Sequence, residues 1–360
     1  MSLIDRLALT YPIIQAPMAG SNDAELAIAV SEAGALGSLP AALMTHNQLH
    51  DQLQKIKAST NRPYNVNFFC HSMPEPAPEG EALWRSYWAS HYERLGLHSD
   101  TPNANTSRAP FDAESCSLVE QHKPAVVSFH FGLPAQDLLQ RVRATGAVIL
   151  STATTVAEAR WLEANGVDIV IAQGSEAGGH RGMFLFDDLV DDIQRQPSTL
   201  SLVPQIVDAV RVPVIATGGI ADGRGLAAAL TLGAVMAQIG TAYLLCPEAK
   251  PTALHREALS KAGSSDTAFT NIFTGRPARG IINTAMRASG CLNRQAPQFP
   301  FAGNVLGPLR ARAESQSDSG YSPLWAGQSV AMARPMPAAE LTRSIAEEAR
   351  MVLNRTARLV

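Results

Sequence analysis

Eight short apolar runs, each closed by small or polar residues, recur along this 360-residue chain, with amphipathic segments between most of them. They fall at 12–16, 35–39, 64–68, 125–129, 147–151, 168–172, 212–216 and 234–239. Several intervening segments carry legible helix signals. Asn22 and Asp23 open a segment that stops at Gly34, and Thr45 with Gln48 and Thr155 with Glu158 have capping-box spacing. Pro134 suits the first turn of the helix after the fourth run, Gly146 suits its end, and Asp222 caps a segment closing at Gly233. Strands alternating with helices imply an α/β protein with a parallel sheet. Eight of them favour a closed (β/α)8 TIM barrel over an open doubly wound sheet.

Two stretches exceed a minimal barrel. Between the third and fourth runs lie roughly 55 residues, about twice what one helix and its loops require. A Pro-rich start (73–78), a Trp-bearing helical piece (83–94) and a polar tract (99–107) mark an insertion at about 71–112 after strand three. Past the eighth run, 247–334 shows helical patches broken by Gly and Pro, as expected of a lid or substrate subdomain at the barrel mouth. The segment 338–355 is a strongly amphipathic helix expected to pack back on the barrel. The predicted organisation is therefore a barrel over 1–246, a lid over 247–334 and a terminal segment over 335–360.

Charge and composition narrow the partners. A net charge of −3 and a pI near 6.3 provide no long-range attraction for nucleic acid or an anionic membrane, so a small molecule is the expected partner. The cysteines Cys70, Cys116, Cys246 and Cys291 form no CxxC or metal-finger spacing, so a reduced cytoplasmic protein without a metal site is expected. No signal peptide is evident at the N-terminus. The most apolar window, 226–240, is too short for a membrane span, and Gly233 divides it into a helix and a strand. The oligomeric state is left open.

In such barrels chemistry sits at the carboxyl ends of the strands. Glycines after the seventh and eighth runs (Gly218, Gly219, Gly240) let backbone N–H groups approach a phosphate, with the following helix start adding its positive dipole end. Alternatively, Gly218 and Gly219 relieve packing at a tight turn. No Walker lysine or GxGxxG follows, which argues against a nucleoside triphosphate or a Rossmann-bound dinucleotide. The amides of Asn67, Gln173 and Gln238 each offer a donor and an acceptor, and Pro17 and Met18 offer an apolar wall. Together these fit a flavin mononucleotide better than a bare sugar phosphate. His180, set in the glycine-rich turn 174–182, is the candidate acid–base group, since its reference pKa lies near neutrality. His130 is either a pocket wall or a substrate contact. Glu176 is a second acid or, as favoured here, holds its loop by hydrogen bonds to backbone amides.

QAPMAG at 15–20, NVNFF at 65–69, VVSFHFG at 126–132, AQGSEAGGHRG at 172–182, ATGGIADG at 216–223 and QIGTAYL at 238–244 resemble the nitronate monooxygenase family, formerly 2-nitropropane dioxygenases, in its class I form. The resemblance spans the barrel in order. It implies an FMN-dependent TIM-barrel enzyme that oxidises alkyl nitronates with O2 to a carbonyl compound and nitrite through a flavin semiquinone, without a reduced nicotinamide. It makes His180 the catalytic base or nitronate contact. Asn67, Gln173, Gly178, Gly179, Gly218 and the segment Gln238, Ile239, Gly240 and Thr241 would hold FMN. Where class I members usually carry tyrosines and a lysine near the substrate, this chain has Phe299, Phe301 and Gly307, expected to favour a more apolar substrate. The alternatives are an NAD(P)H-dependent flavin reductase of quinone or enoyl-thioester type and a flavin-free sugar-phosphate isomerase or aldolase. The aldolase is disfavoured by the absence of a strand-end lysine.

Overall fold

A computed structural model describes residues 3–98, 101 and 108–358. Its strands, in chain order, are β1 (Ile13–Gln15), β2 (Gly37–Pro40), β3 (Tyr64–Phe69), β4 (Val126–His130), β5 (Val148–Ala153), β6 (Ile169–Gln173), β7 (Gly179–His180), β8 (Val214–Thr217), β9 (Met236–Ile239), β10 (Thr267–Thr270) and β11 (Ala278–Ile281). Eight of them form one sheet of order β1-β9-β8-β6-β5-β4-β3-β2, every neighbouring pair parallel. Its two edges meet at a parallel bridge between Ile14 and Leu36. There the Gln15 N–H donates to the Leu36 carbonyl at 2.9 Å and the Leu36 N–H to the Ile13 carbonyl at 3.0 Å. The protein is a TIM barrel, and each of the eight apolar runs contributes one barrel strand.

Period-two alternation decides which side chains turn inward. Ile14, Leu150, Ile171, Ile215 and Met236 fill the barrel, whereas Ala237 and Ile239 point outward into the layer shared with the helices. Fully burying one such aliphatic chain is worth roughly 1.5–3 kcal/mol, so an alternation repeated around the barrel fixes the facing of each strand. Toward the carboxyl ends the interior becomes polar. Asn65 Nδ2 donates to Ser38 Oγ (3.0 Å) and Ser128 Oγ (2.9 Å), and the Ser128 hydroxyl donates to Asn67 Oδ1 (2.9 Å).

The cap signals hold with two changes. Asp23 caps the helix Ala24–Glu32, Thr45 and Gln48 complete a capping box on His46–Ser59, and Asp222 caps Gly223–Thr231. Thr155 accepts from the Glu158 N–H, but the fully buried Glu158 carboxylate instead accepts from the Thr154, Phe184 and Leu185 amides. Pro134 lies two residues before the helix Gln136–Ala144, outside its first turn. The last helix, Ala338–Thr356, buries Leu341, Ile345 and Ala349 against the barrel layer, and Tyr243 Oη and Thr342 Oγ1 lie 2.8 Å apart.

Beyond the barrel, helices Pro78–Tyr87 and Ala89–Arg94 of the region after β3 pack on Thr284–Ser289 and Gly303–Glu314. Trp84, Trp88 and Tyr92 share a separate core with Ile272, Met286, Val305 and Leu309. The Trp84 indole donates to the Ala302 carbonyl at 3.3 Å, and the Tyr92 hydroxyl to the Val305 carbonyl at 2.6 Å. The two stretches that exceed a minimal barrel thus cover each other's apolar faces. The polar tract 99–107 lies, apart from Thr101, outside the described residues.

The segment expected to hold only helical patches also forms an antiparallel sheet of order β10-β11-β7, in which Ala278 pairs with His180 and Arg279 with Gly179. These strands are two to four residues long, and their partners are distant in sequence, so local periodicity does not mark them. No helix among the described residues is long and apolar enough to cross a membrane.

Candidate active site

The loops at the carboxyl ends of the barrel strands surround a cleft holding about 1320 Å³ of empty space, counted out to its mouth. Pro17, Met18, Asn67, Gln173, Gly178, Gly179, Gly218, Gly219, Gln238, Gly240 and Thr241 all line it, as do His130 and His180. Ile239 does not. The inward position on β9 belongs to Gln238, and the alternation sends the neighbouring Ile239 into the outer core, fully buried. Phe301 and Gly307 stand off the cleft too. Gly307 lies within the helix Gly303–Glu314, whose buried side packs on the second core.

Phe299 occupies a layer behind the lining. Its ring centroid lies 5.7 Å from that of His180, 5.6 Å from Phe131 and 4.7 Å from His71. With Phe69 at 5.9 Å, Phe131 at 6.0 Å and Trp325 at 5.5 Å, it encloses the His180 imidazole in aromatic rings. This cage disfavours imidazolium, and the cations Arg108 and Arg276 disfavour it further. Burial first, then Arg108, holds the His180 pKa well below 6.5.

The His180 tautomer follows from its partner. Thr274 Oγ1 lies 2.9 Å from His180 Nε2 and 3.3 Å from the Arg276 carbonyl; with the Thr274 proton on that carbonyl, His180 Nε2 donates and Nδ1 keeps the lone pair. The residue's backbone is also held: its carbonyl accepts from Gln173 Nε2 at 3.0 Å and from His130 Nε2 at 3.1 Å. The acceptor role of that carbonyl places a proton on His130 Nε2, so the Thr152 hydroxyl donates to His130 Nδ1 (3.1 Å). Burial lowers His130 to about 4. Gln173 closes the far end of the same loop, since the Gly182 N–H donates to Gln173 Oε1 at 2.8 Å. Among the described residues, one N–H of the Gln173 amide has no partner.

The other two amides are left complementary. Ser128 occupies Asn67 Oδ1, and no partner holds Asn67 Nδ2 among the described residues, so Asn67 offers donors. Among the described residues, Gln238 Oε1 is buried without a partner and offers an acceptor. In the same cleft, the backbone N–H groups of Gly178, Gly218, Gly219 and Gly240 also lack partners among the described residues. Unpartnered N–H groups lining one cleft suit an anion. The helix dipole does not contribute as expected, because Asp222 Oδ1 accepts from the Arg224 and Gly225 amides and Glu348 from the Gly223 amide. The N-terminus of Gly223–Thr231 is already filled by carboxylates.

The turn-packing account of the glycines holds alongside the cradle. A Cβ on Gly218 (φ +119°) would lie 2.6 Å from Thr199 Oγ1, and one on Gly178 would lie 2.5 Å from the Gly327 nitrogen. Glu176 holds its loop, its carboxylate accepting from the Thr199 N–H and hydroxyl at 2.8 Å.

Several lining residues carry no sequence signal. Trp325, Gly327 and Ser329 reach the cleft from the strap after β11, with the Ser329 hydroxyl donating to the Gly219 carbonyl at 2.6 Å. Arg108 arrives from the insertion. Arg181 lies fully buried beneath the cleft loop, donating to the Gly174 and Gln173 carbonyls and to Gln196, and burial pulls its pKa down to about 9.

Comparison with known proteins agrees with this geometry. The family model described as nitronate monooxygenase matches residues 1–348. A nitronate monooxygenase of Paraburkholderia phytofirmans is 40% identical over 353 residues, covering 96% of this chain and 94% of the relative. Among solved structures, a nitroalkane oxidase from Streptomyces ansochromogenes superposes with a TM-score of 0.88 at 37% identity, covering 99% of both chains. FabK from Thermotoga maritima follows at 0.76 and 26% identity, covering 99% of this chain and 98% of that one. With a caged histidine at the carboxyl end of a TIM barrel and relatives matched from end to end, this chain is an oxidoreductase belonging to the nitronate monooxygenase family.

Proposed function

We propose that the enzyme uses FMN and O2 to oxidise alkyl nitronates to a carbonyl compound and nitrite. The observation that carries this is the neutral, aromatic-caged His180 in the same cleft as the unpartnered Gly178, Gly218, Gly219 and Gly240 amides.

The residues present fit FMN. The orphaned Gln238 Oε1 and the free Asn67 amide N–H groups supply one acceptor and one donor set, which the alternating edge of an isoalloxazine requires. The four glycine amides would take the phosphate, and Pro17 and Met18 would provide an apolar wall. Bound there, FMN supplies the electron acceptor that nitronate oxidation needs and passes the electrons to O2.

The chain's own part is to bind and orient. His180 Nδ1, unprotonated at neutral pH, takes the α-proton when the substrate arrives as a neutral nitroalkane. A preformed nitronate has already lost that proton and needs only placement. Gln173 and His130 hold the backbone that positions this imidazole. The aromatic rings exclude water from the reacting carbon.

The test is an anaerobic titration of the purified yellow protein with ethylnitronate, propionate 3-nitronate and NADH in turn, with the released flavin identified by mass. Nitronates are expected to reduce the flavin and NADH to leave it oxidised. Rapid bleaching by NADH would instead establish a flavin reductase, and a colourless protein would exclude the flavin altogether.

A further inference from the structure

We propose that Arg108 binds the two oxygens of the nitronate, making this enzyme selective for the substrate's anionic form; the inference rests on the function proposed above. Arg108 lines the cleft with His180, and among the described residues its guanidinium has neither an ion pair nor a hydrogen bond. The other arginines nearby are committed. Arg181 donates to the Gly174 and Gln173 carbonyls, Arg276 to the Met183 carbonyl at 2.9 Å, and Arg279 to the Ser175 carbonyl at 2.9 Å. Burial and the nearby Arg310 lower Arg108 to about 10, which still leaves it charged at neutral pH.

A half-buried charge without a partner is only partly hydrated, so the fold retains a cost that an incoming anion would relieve. The position indicates which anion. The guanidinium carbon lies 5.8 Å from the centroid of Phe299, and that ring lies 5.7 Å from His180. Arg108 is also the foremost charge acting on His180. The phosphate cradle is made by different elements, the loops after β6, β8 and β9. A nitronate is planar and shares one negative charge between two oxygens, as a carboxylate does, and the guanidinium fork matches that pair bidentately. A neutral nitroalkane presents the same two atoms without the net charge. Phe299, on this side of the site, offers no competing donor.

The test uses the flavin-loaded wild type with Arg108→Gln and Arg108→Lys. Steady-state rates are measured with ethylnitronate and with nitroethane, and propionate, an unreactive planar oxyanion, is titrated by tryptophan fluorescence. Arg108→Gln is expected to raise the KM for ethylnitronate and the propionate Kd about 10- to 100-fold. The KM for nitroethane and the flavin content should stay close to wild type. Arg108→Lys should fall between the two, having the charge without the fork. Arg108→Gln should not lower the melting temperature of the ligand-free protein, since the charge it removes is half-buried and unpaired among the described residues. Unchanged ethylnitronate KM and propionate Kd, an equal loss on nitroethane, or loss of FMN from the variant would overturn the assignment. If ethylnitronate fails to reduce the wild-type flavin, the proposed function fails while the propionate titration still decides Arg108: binding lost in Arg108→Gln supports the anion site, and binding retained overturns it.

Discussion

His130 Nε2 lies 3.1 Å from the carbonyl oxygen of His180, so one histidine of the cleft acts on the backbone of the other. Gln173 Nε2 meets the same oxygen at 3.0 Å, and Gln173 Oε1 receives the Gly182 N–H. The turn bearing His180 is thereby fastened to the ends of β4 and β6. Its imidazole, held at Nε2 by Thr274, lines the cleft.

Removing the His180 imidazole should separate the two substrate forms. His180→Asn is expected to lower kcat/KM for nitroethane about 10²- to 10⁴-fold, the usual weight of a general base, and to affect ethylnitronate far less. Steady-state nitrite release with each substrate checks it, with flavin content confirming an intact site. Equal losses on both would assign His180 to binding rather than to proton removal.

The two fasteners of the loop should couple. His130→Phe and Gln173→Leu each remove one donor to the His180 carbonyl, at a cost of about 1–3 kcal/mol for a buried acceptor left short. The double variant leaves that carbonyl bare and is expected to lose more than the sum of the singles. Urea denaturation of the four proteins measures the coupling. Strict additivity would mean that the loop is held elsewhere.

Stability should decline in mild acid. His71 and His255 are buried, and with His130 they are lowered to about 4, chiefly by burial. Below the unfolded value of 6.5 the unfolded chain takes up protons that the folded chain refuses, so folding free energy falls from pH 6.5 down to about 4 and levels off where the folded groups also protonate. Each fully buried histidine accounts for about 3 kcal/mol over that window. Denaturation midpoints from pH 7 to 4 should show the decline. His255→Gln, which keeps a donor for the Trp325 carbonyl, should make it shallower.

Two glycines of the cleft should respond differently to a methyl group. A Cβ on Gly178 would meet the 326–327 backbone at 2.5–2.6 Å, so Gly178→Ala should destabilise the protein itself. On Gly240 the Cβ would meet only Ala16 Cβ at 3.4 Å and Met18 Sδ at 3.8 Å, ordinary contacts. Gly240→Ala should therefore leave the melting temperature of the flavin-free protein unchanged and reduce FMN occupancy, read from the flavin-to-protein absorbance ratio. Full occupancy in that variant would place the phosphate away from β9.

The barrel and most of the cleft were legible in the chain because their signals are local. A strand announces itself by a run of β-branched residues, a helix by Asp23, Thr45 or Asp222 at its start, and a TIM barrel assigns the strand ends to function. Local signals also misled. Ile239 follows Gln238 in the segment that the family resemblance assigns to FMN, yet alternation sends it outward. Of Phe299, Phe301 and Gly307, which similarity sets near the substrate, only Phe299 approaches His180, and from behind the lining.

Where the chain turns from strand to loop, and which strand-end residues stand at the mouth with a histidine among them, could be read from the sequence. Those properties depend on neighbours within a few positions. The tertiary structure alone decided the chemical state of that mouth. Ala278 pairs with His180 across almost a hundred residues, Phe69, Phe131, Phe299 and Trp325 converge on one imidazole, and Arg108 enters from an insertion. A side chain's charge depends on the water and the partners left to it, and only the closed fold sets which of those remain.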